Sequence, residues 1–579
     1  MRIALPIVTV LLAASTIASA KKSSDDVKSP AAGKTTRVIA TYSVDPTDDH
    51  DRKVTGRNGR VVRSMRRSRV NVFDVTPEAL AELEKDKDVD YITPDRPLAA
   101  TTLSEAEGAV RLWQVADWYG THGNCRGCTN GNVVGVAVLD SGLQTNHADF
   151  SWWNTTRSRI VYNESVIDTN PADGYGHGSH VAGILAAEAN ISCIQGGLNA
   201  TGNCKASQAF FGVAAGVQLV NLKVLDANGQ GSDSAVIAAI DRVIQLKTTY
   251  NIRVMNLSLG RPVRESYKTD PLCRAVERAW DAGIVVVVAA GNEGRNNSVG
   301  SHGYGTIMSP GNDPKVITVG AINTLNNWSD ADDRAATYSS KGPSAIDQIV
   351  KPDLMAPGNS IISLQASGSK LAQSYPANRP AVSSYWPWAT GTSPYYFRLS
   401  GTSMATPIVA GAAALMVDRD PTLTPDMVKA RMMKTARRGM ARTVSVYDSA
   451  TAKWYAVTHD AFTVGAGILD ISAAFNSTER PAGSAASPKA QYNSTTKKVS
   501  MNFAATGGTN VIWGEAGNYS TNVIWGENVI WGTNVIWGEN VIWGTGGTGG
   551  FNVIWGTSAT FTSGSNQAEA MSIAIDGDK

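Results

Sequence analysis

Val133-Val-Gly-Val-Ala-Val-Leu-Asp140 is an uncharged run that ends on a carboxylate and is followed at once by Ser141-Gly142. No polar residue interrupts it before Asp140, so a strand built from it has neither face turned to water. Similar runs recur at 217–225 (VQLVNLKVL), 254–259 (VMNLSL), 284–290 (IVVVVAA) and 315–322 (KVITVGAI). Segments of helical period, such as 235–247 and 271–281, lie between them. Strand–helix–strand repetition with doubly buried strands predicts an α/β fold: a doubly wound, mainly parallel sheet with helices on both faces. In such a sheet the chemistry gathers at the carboxyl ends of the strands, where Asp140 stands.

This pattern holds from about residue 105, giving a catalytic-type domain over 101–476. The flanking segments differ in kind. Residues 1–20 combine Arg2, an apolar run and Ala18-Ser19-Ala20, the composition of a cleaved secretory leader, which predicts a secreted, extracellular protein. No other stretch is apolar for long enough to cross a membrane as a helix. Residues 37–98 read as a small α+β module within a pro-segment spanning 21–100. Its strands are RVIATYSV, VNVFDV and VDYITPD, and its helix is TPEALAELEKD, capped by Thr76. Eight basic residues fall within 52–69, and a solvated loop accounts for them without nucleic acid. Residues 477–508 have the composition of a linker.

The last segment, 509–579, explains an oddity of composition. The chain has 15 Trp against 10 Phe, and six of the Trp belong to the sequence Asn-Val-Ile-Trp-Gly, which begins at 510, 522, 528, 534, 540 and 552. Every spacing is even, so a strand reading never slips between faces, and the repeat predicts a β-rich tail. Uncharged Trp-bearing strands could bind carbohydrate or cell envelope, associate with themselves, cover a sheet edge, or be removed on maturation.

Elsewhere 42% hydrophobic and 18% charged residues mark a globular chain, and a net charge of +2 gives no general reason to expect nucleic acid. The five cysteines are at 125, 128, 193, 204 and 273. Export permits disulfides, and Cys193 and Cys204 bracket a Gly/Asn-rich segment that suits a local one. Cys125 and Cys128 could form a small ring, a redox pair or half a zinc site; with no second CxxC nearby, zinc is disfavoured. The odd total leaves one thiol over, for which Cys273 is the candidate.

Four motifs carry chemistry. Asp140 closes a buried strand before Ser141-Gly142. His177 lies in Gly176-His-Gly-Ser-His-Val-Ala-Gly183 at a helix start, and the His177/His180 pair lacks the spacing and the acid of a zinc motif. Ser403 lies in Ser400-Gly-Thr-Ser-Met-Ala-Thr-Pro407 before an apolar helix, whose first amides and dipole suit an oxyanion. Pro407 is tolerable there because the first-turn N–H groups have no intrahelical partner anyway. Gly391-Thr-Ser393 is a decoy, followed by Pro394 and no helix. A serine needs a base, and the base needs a carboxylate; Asp140, His177 and Ser403 supply these, in that order. Asn292, after the most apolar strand, can offer its side-chain amide to the oxyanion.

In this order the motifs resemble those of the subtilisin-family (subtilase, S8) serine endopeptidases, over roughly two-thirds of the chain. The resemblance implies Asp140, His177 and Ser403 as the triad, and Asn292 with the Ser403 N–H as oxyanion donors. It implies protein or peptide substrates, with Ser258, Leu259 and Gly260 on a strand that pairs with substrate main chain. Ala289, Ala290 and Gly291 would form the opposite wall of the primary specificity pocket. Arg261-Pro262 replaces a second glycine common in the family, and Gly465–Asp470 resembles the family's closing motif. The 37–98 module resembles an inhibitory propeptide, which implies a self-processed zymogen cut near 98–106. No cofactor is required for the chemistry; Asp149 resembles a structural calcium ligand, although the Cys193–Cys204 insertion replaces the loop expected to supply the other ligands. The competing reading is a non-catalytic surface protein that binds through the tryptophan repeat. A complete triad argues against it, and the Asp-His-Ser order argues against an esterase of another fold.

Overall fold

The computed structural model describes most of residues 22–100, 133–196, 209–325, 332–493 and 498–502, together with Ile575, Gly577 and Asp578. The leader, Cys125, Cys128, Cys204 and the six Asn-Val-Ile-Trp-Gly copies lie outside the described residues. The chain divides into two compact units, Met1–Pro94 and Asp95–Lys579.

In the first unit the elements are β1 (Thr36–Tyr42), α1 (Asp48–Thr55), β2 (Arg60–Met65), β3 (Val70–Val75), α2 (Pro77–Lys85) and β4 (Val89–Pro94). The sheet is antiparallel in the order β2-β3-β1-β4, and Val38, Ala40, Tyr42, Val54, Phe73, Leu80, Leu83 and Ile92 form its core. Thr76 caps α2 as its sequence predicts, accepting from the Ala79 N–H at 3.2 Å. The basic stretch at 52–69 is not a loop. It runs through α1 and β2, and its arginines pair with acids of neighbouring elements: Arg57 with Glu82 at 2.8 Å, Arg60 with Asp74 at 2.6 Å and Arg69 with Asp45 at 3.0 Å. Reading net charge missed these partners because they are distant in sequence.

The second unit is built on an eight-stranded sheet. Its strands are β6 (Gly135–Asp140), β7 (Ile160–Ser165), β8 (Gln218–Lys223), β10 (Ile252–Leu257), β12 (Val285–Ala289), β13 (Ile317–Asn323), β14 (Arg334–Ala335) and β15 (Leu354–Pro357). The order is β14-β13-β12-β10-β6-β8-β7, with β15 also paired to β13, and every pairing except β13–β14 is parallel. Every residue of β6, β12 and β13 is buried, as unbroken apolar runs require. β7 was not foreseen; it is half-buried at the sheet edge, so its sequence, IVYNES, carries no apolar run.

The helices of this unit used below are α3 (His177–Ala186), α4 (Asp233–Leu246), α5 (Pro271–Asp281) and α6 (Thr402–Arg419). β6 is followed by β7, β7 leads through α3 to β8, and β8 leads through α4 to β10. α3 packs on α6, whereas α4 packs on α5. The sheet reverses direction at β6, so the crevice beyond its carboxyl end is the place for a site. α6, nearly all buried, packs against β10, β12, β13 and α3.

Three short strands, β5 (Pro97–Ala100), β9 (Gln230–Ser232) and β11 (Leu259–Gly260), form a separate sheet in the order β11-β5-β9. The segment expected to be a linker at 477–508 instead lays Ser487 in the body, with its N–H on the Pro314 carbonyl at 2.8 Å, and forms a hairpin, β20 (Lys489–Asn493) with β21 (Lys498–Asn502); two further antiparallel pairs precede it, β16 (Ile361–Leu364) with β17 (Tyr396–Leu399) and β18 (Thr443–Asp448) with β19 (Lys453–Thr458).

Candidate active site

Asp140 ends β6 and is fully buried, and His177 opens α3, also fully buried. The His177 Nδ1–H meets Asp140 Oδ1 at 2.7 Å, and the Ser141 N–H donates to the same oxygen at 2.7 Å. A carboxylate only accepts, so the pair fixes the imidazole proton on Nδ1 and leaves Nε2 as the basic nitrogen. The approach is close because position 178 has no side chain: a Cβ there would lie 2.3 Å from the Gly142 carbonyl oxygen.

A buried carboxylate foreseen by no motif holds this corner. Asp173 accepts from the Ser141 hydroxyl at 2.8 Å, the Gly176 N–H at 2.7 Å and the Ser179 N–H at 2.8 Å, while Ser141 Oγ accepts from the Gly178 N–H at 2.9 Å. Asp173 thus caps α3 in place of Gly176, the residue at the N-cap, which has no side chain. Burial pushes its carboxyl pKa up, against the pull of these donors. The only sequence signal was an Asp four residues before a helix start.

His180, one turn on, does not join His177. Its Nε2 donates to the Phe397 carbonyl at 3.1 Å, and burial pushes its pKa down to about 3, so it is a neutral core histidine. The decoy Ser393 sits in a turn, accepting from the Tyr385 hydroxyl at 2.9 Å and the Tyr395 N–H at 3.1 Å.

Ser403 is fully buried in the first turn of α6, which packs on α3. Gly401 precedes it at φ +153°, a conformation other residues rarely adopt. The Ser403 hydroxyl donates to the Ser258 carbonyl at 3.1 Å, and the Ser258 hydroxyl donates to the Ser403 carbonyl at 2.6 Å. The second bond corrects the expectation for Pro407. α6 begins at Thr402, so Pro407 lies beyond the first turn, and its missing N–H leaves the Ser403 carbonyl without its i+4 donor. Ser258 supplies that donor, and is itself held by Asn256 Nδ2 at 3.0 Å.

Asn292 follows β12. Its Oδ1 accepts from the Thr402 N–H at 2.9 Å and the Thr402 hydroxyl at 3.0 Å, and Thr402 Oγ1 accepts from the Gly291 N–H at 3.1 Å. Two donors on Oδ1 identify the other end of the amide as nitrogen. That Nδ2 is buried and has no hydrogen-bond partner. A donor held in place by its own oxygen and left unmatched is what an oxyanion that exists only transiently requires.

Leu259 and Gly260 pair antiparallel with Ala100 and Ala99, and Gln230–Ser232 pair with the other edge of the same strand. An extended segment thus lies between two edges, of which sequence reading found one. Asp95, just before it, accepts from the Ser234 N–H at 2.9 Å and the Ser234 hydroxyl at 2.6 Å at the start of α4. Ala289, Ala290 and Gly291 are buried opposite. Met308 lies between the walls: a Cβ on Gly260 would be 3.0 Å from Met308 Cβ, and one on Gly291 would be 2.7 Å from Met308 Cγ. Arg261 does not enter this space. Its guanidinium is buried with Asp233 at 2.8 Å and Asp270 at 2.8 Å.

Asp149 is fully buried, but its surroundings do not fit calcium. Oδ1 accepts from the Ile191 N–H at 2.8 Å, Oδ2 accepts from the Tyr396 hydroxyl at 2.7 Å, and burial raises its pKa. Calcium needs several free oxygens, whereas both of these face donors. Cys193 is disulfide-bonded, to a partner outside the described residues, and Cys273 is a free buried thiol whose pKa burial pushes up.

The model of the subtilase family matches residues 131–467. Serine protease AprX of Bacillus subtilis (strain 168) is 35% identical over 389 residues, 63% of this chain and 75% of that protein. Subtilisin E of the same organism is 32% identical over 384 residues, 66% of this chain and 79% of that protein. Among solved structures, fervidolysin from Fervidobacterium pennivorans, a keratinolytic enzyme related to subtilisin, superposes with a TM-score of 0.55 at 20% identity, covering 80% of this chain and 63% of that one.

Proposed function

Since the chain belongs to the subtilase family and is a serine endopeptidase, we propose that Ser403 is its nucleophile, His177 the general base, Asp140 the group that orients His177, and Asn292 the oxyanion donor together with the Ser403 N–H. His177 Nε2 takes the Ser403 proton as Oγ attacks the scissile carbonyl. The negative charge that forms on the carbonyl oxygen is met by Asn292 Nδ2. Collapse of the intermediate breaks the C–N bond, and the proton on Nε2 passes to the leaving amine. Water then enters, loses a proton to Nε2 and releases the acyl group from Ser403. No metal or cofactor takes part in these steps. The buried, unpartnered Asn292 amide beside the first turn that holds Ser403 carries this reading.

Residues 97–100, paired on both edges, mark how substrate main chain lies in the cleft. We read them as the end of the pro-segment, with residues 36–94 as its folded inhibitory module, cleavage in the 98–106 region on maturation, and residues 1–20 as the export leader. Among the described residues no helix is long and apolar enough to cross a membrane.

A phosphonofluoridate tests the assignment: Ser403 Oγ displaces fluoride and becomes phosphonylated. Peptide mapping of the mature enzyme should place one adduct on Ser403, lost in His177→Ala. An adduct on Ser393, or undiminished labelling of His177→Ala, would overturn it.

A further inference from the structure

Ile575, Gly577 and Asp578, far beyond the last hairpin in sequence, lie against the body of the second unit and are gripped there. Every polar atom of Asp578 has a partner. Its Oδ1 meets Arg295 Nη2 at 2.8 Å and the Thr337 hydroxyl at 2.6 Å, and its Oδ2 accepts from the Thr337 N–H at 2.9 Å. Its N–H donates to Asn359 Oδ1 at 2.7 Å. Its carbonyl accepts from Asn359 Nδ2 at 3.2 Å and Asn323 Nδ2 at 3.5 Å. The Asp578 carboxylate is wholly buried, and Arg295 nearly so.

The position before it is as closely read. Gly577 has φ +64°, and a Cβ there would fall 2.2 Å from Ser400 Oγ and 2.5 Å from Asn359 Oδ1. Asn378 Nδ2 also holds the Ile575 carbonyl at 3.0 Å. Burying a carboxylate costs several kcal/mol unless it is paired and fully hydrogen-bonded, so this degree of satisfaction marks a built recognition site rather than a chance contact.

We propose that Arg295, Thr337, Asn323 and Asn359 form a second peptide-binding site that recognises a Gly-Asp sequence, and that Gly577-Asp578 is its built-in ligand. Hairpin β20–β21 and Gly577-Asp578 then hold the chain to the same unit on either side of the repeats. A cut within it leaves the downstream piece bound, and a vacated socket takes other Gly-Asp peptides. The socket lies close in sequence to the oxyanion site: Arg295 is three residues after Asn292, and Gly358, next to Asn359, accepts from the N–H of Gly401, two residues before Ser403, at 2.9 Å.

The test uses the full chain carrying Ser403→Ala, so that the protein cannot cut itself, with a recognition site for a sequence-specific viral protease inserted within 545–550. After cutting, the downstream fragment should co-elute with the body in size exclusion. Excess synthetic peptide MSIAIDGDK (571–579) should displace it, and the Asp578→Asn peptide should need at least tenfold more. The uncut Asp578→Asn and Gly577→Ala chains should melt cooperatively, and should release the fragment once cut. A fragment that separates without any substitution, or one retained equally by Asp578→Asn, would overturn the socket. If either variant chain fails to fold, the peptide competition on the unsubstituted protein still decides.

Discussion

Thr402→Val isolates the preorganisation of the oxyanion donor from its presence. Valine matches the shape of threonine in a fully buried position and keeps the main-chain bond from residue 402 to Asn292 Oδ1 at 2.9 Å. It removes the hydroxyl, and with it the 3.0 Å bond to Asn292 Oδ1 and the acceptor of the Gly291 N–H at 3.1 Å. An orphaned buried N–H costs about 1–3 kcal/mol, and a lost neutral bond about 1 kcal/mol more, so stability should fall by roughly 2–4 kcal/mol. In catalysis the Asn292 amide keeps one of its two anchors. If freedom of its Nδ2 forfeits about a third of the roughly 3–4 kcal/mol that one oxyanion donor supplies, a magnitude measured on the oxyanion asparagine of subtilisin, a member of this same family, kcat falls by about 5–10-fold. The oxyanion exists only along the reaction path, so KM should hardly move. The assay is kcat and KM on a chromogenic peptide, normalised by active-site titration, with Thr402→Ser as the control that restores both bonds. Unchanged kcat in Thr402→Val, or a loss confined to KM, would refute the reasoning.

Ser258→Ala should lose about 1–3 kcal/mol of stability in denaturant melts, because the Ser403 carbonyl loses the donor that stands in for Pro407; an unshifted midpoint would count against that role. His180 has a folded pKa of about 3 against 6.5 unfolded, so below pH 6.5 the unfolded state binds more protons and stability falls as pH drops toward 3, by up to about 1.4 kcal/mol per unit. His180→Gln should flatten that acid limb in melts between pH 4 and 7, and an equally steep limb would show that other groups carry it. Met308→Ala should open the specificity pocket and raise kcat/KM for large aromatic residues before the cut over small ones by roughly tenfold, read by mass spectrometry of a digested peptide library; an unchanged profile would place Met308 outside the pocket.

Much of this was legible because burial and reaction chemistry both write local patterns. Strands β6, β12 and β13 are covered on both faces, and their unbroken Val/Ile/Ala runs say so. Asp140, His177, Asn292 and Ser403 announce themselves because glycines crowd around each of them. What was missed depends on contacts distant in sequence. Asp173 ties Ser141, 32 residues before it, to the start of α3, Met308 matters only because Gly260 and Gly291 lack side chains, and Thr402 acts through a residue 110 positions away. The departure at Arg261 left the pocket lining open in sequence, because Asp233 and Asp270, which hold its guanidinium, lie elsewhere in the chain. Asp149 matched a family position, yet a helix amide and Tyr396 take up its oxygens here.

The central claim is that Ser403 performs the cleavage. Ser403→Ala, purified alongside the unsubstituted chain and incubated with casein, should show no cleavage above background, and mass spectrometry should find its 98–106 segment intact. Casein hydrolysis at the rate of the unsubstituted chain would contradict the account.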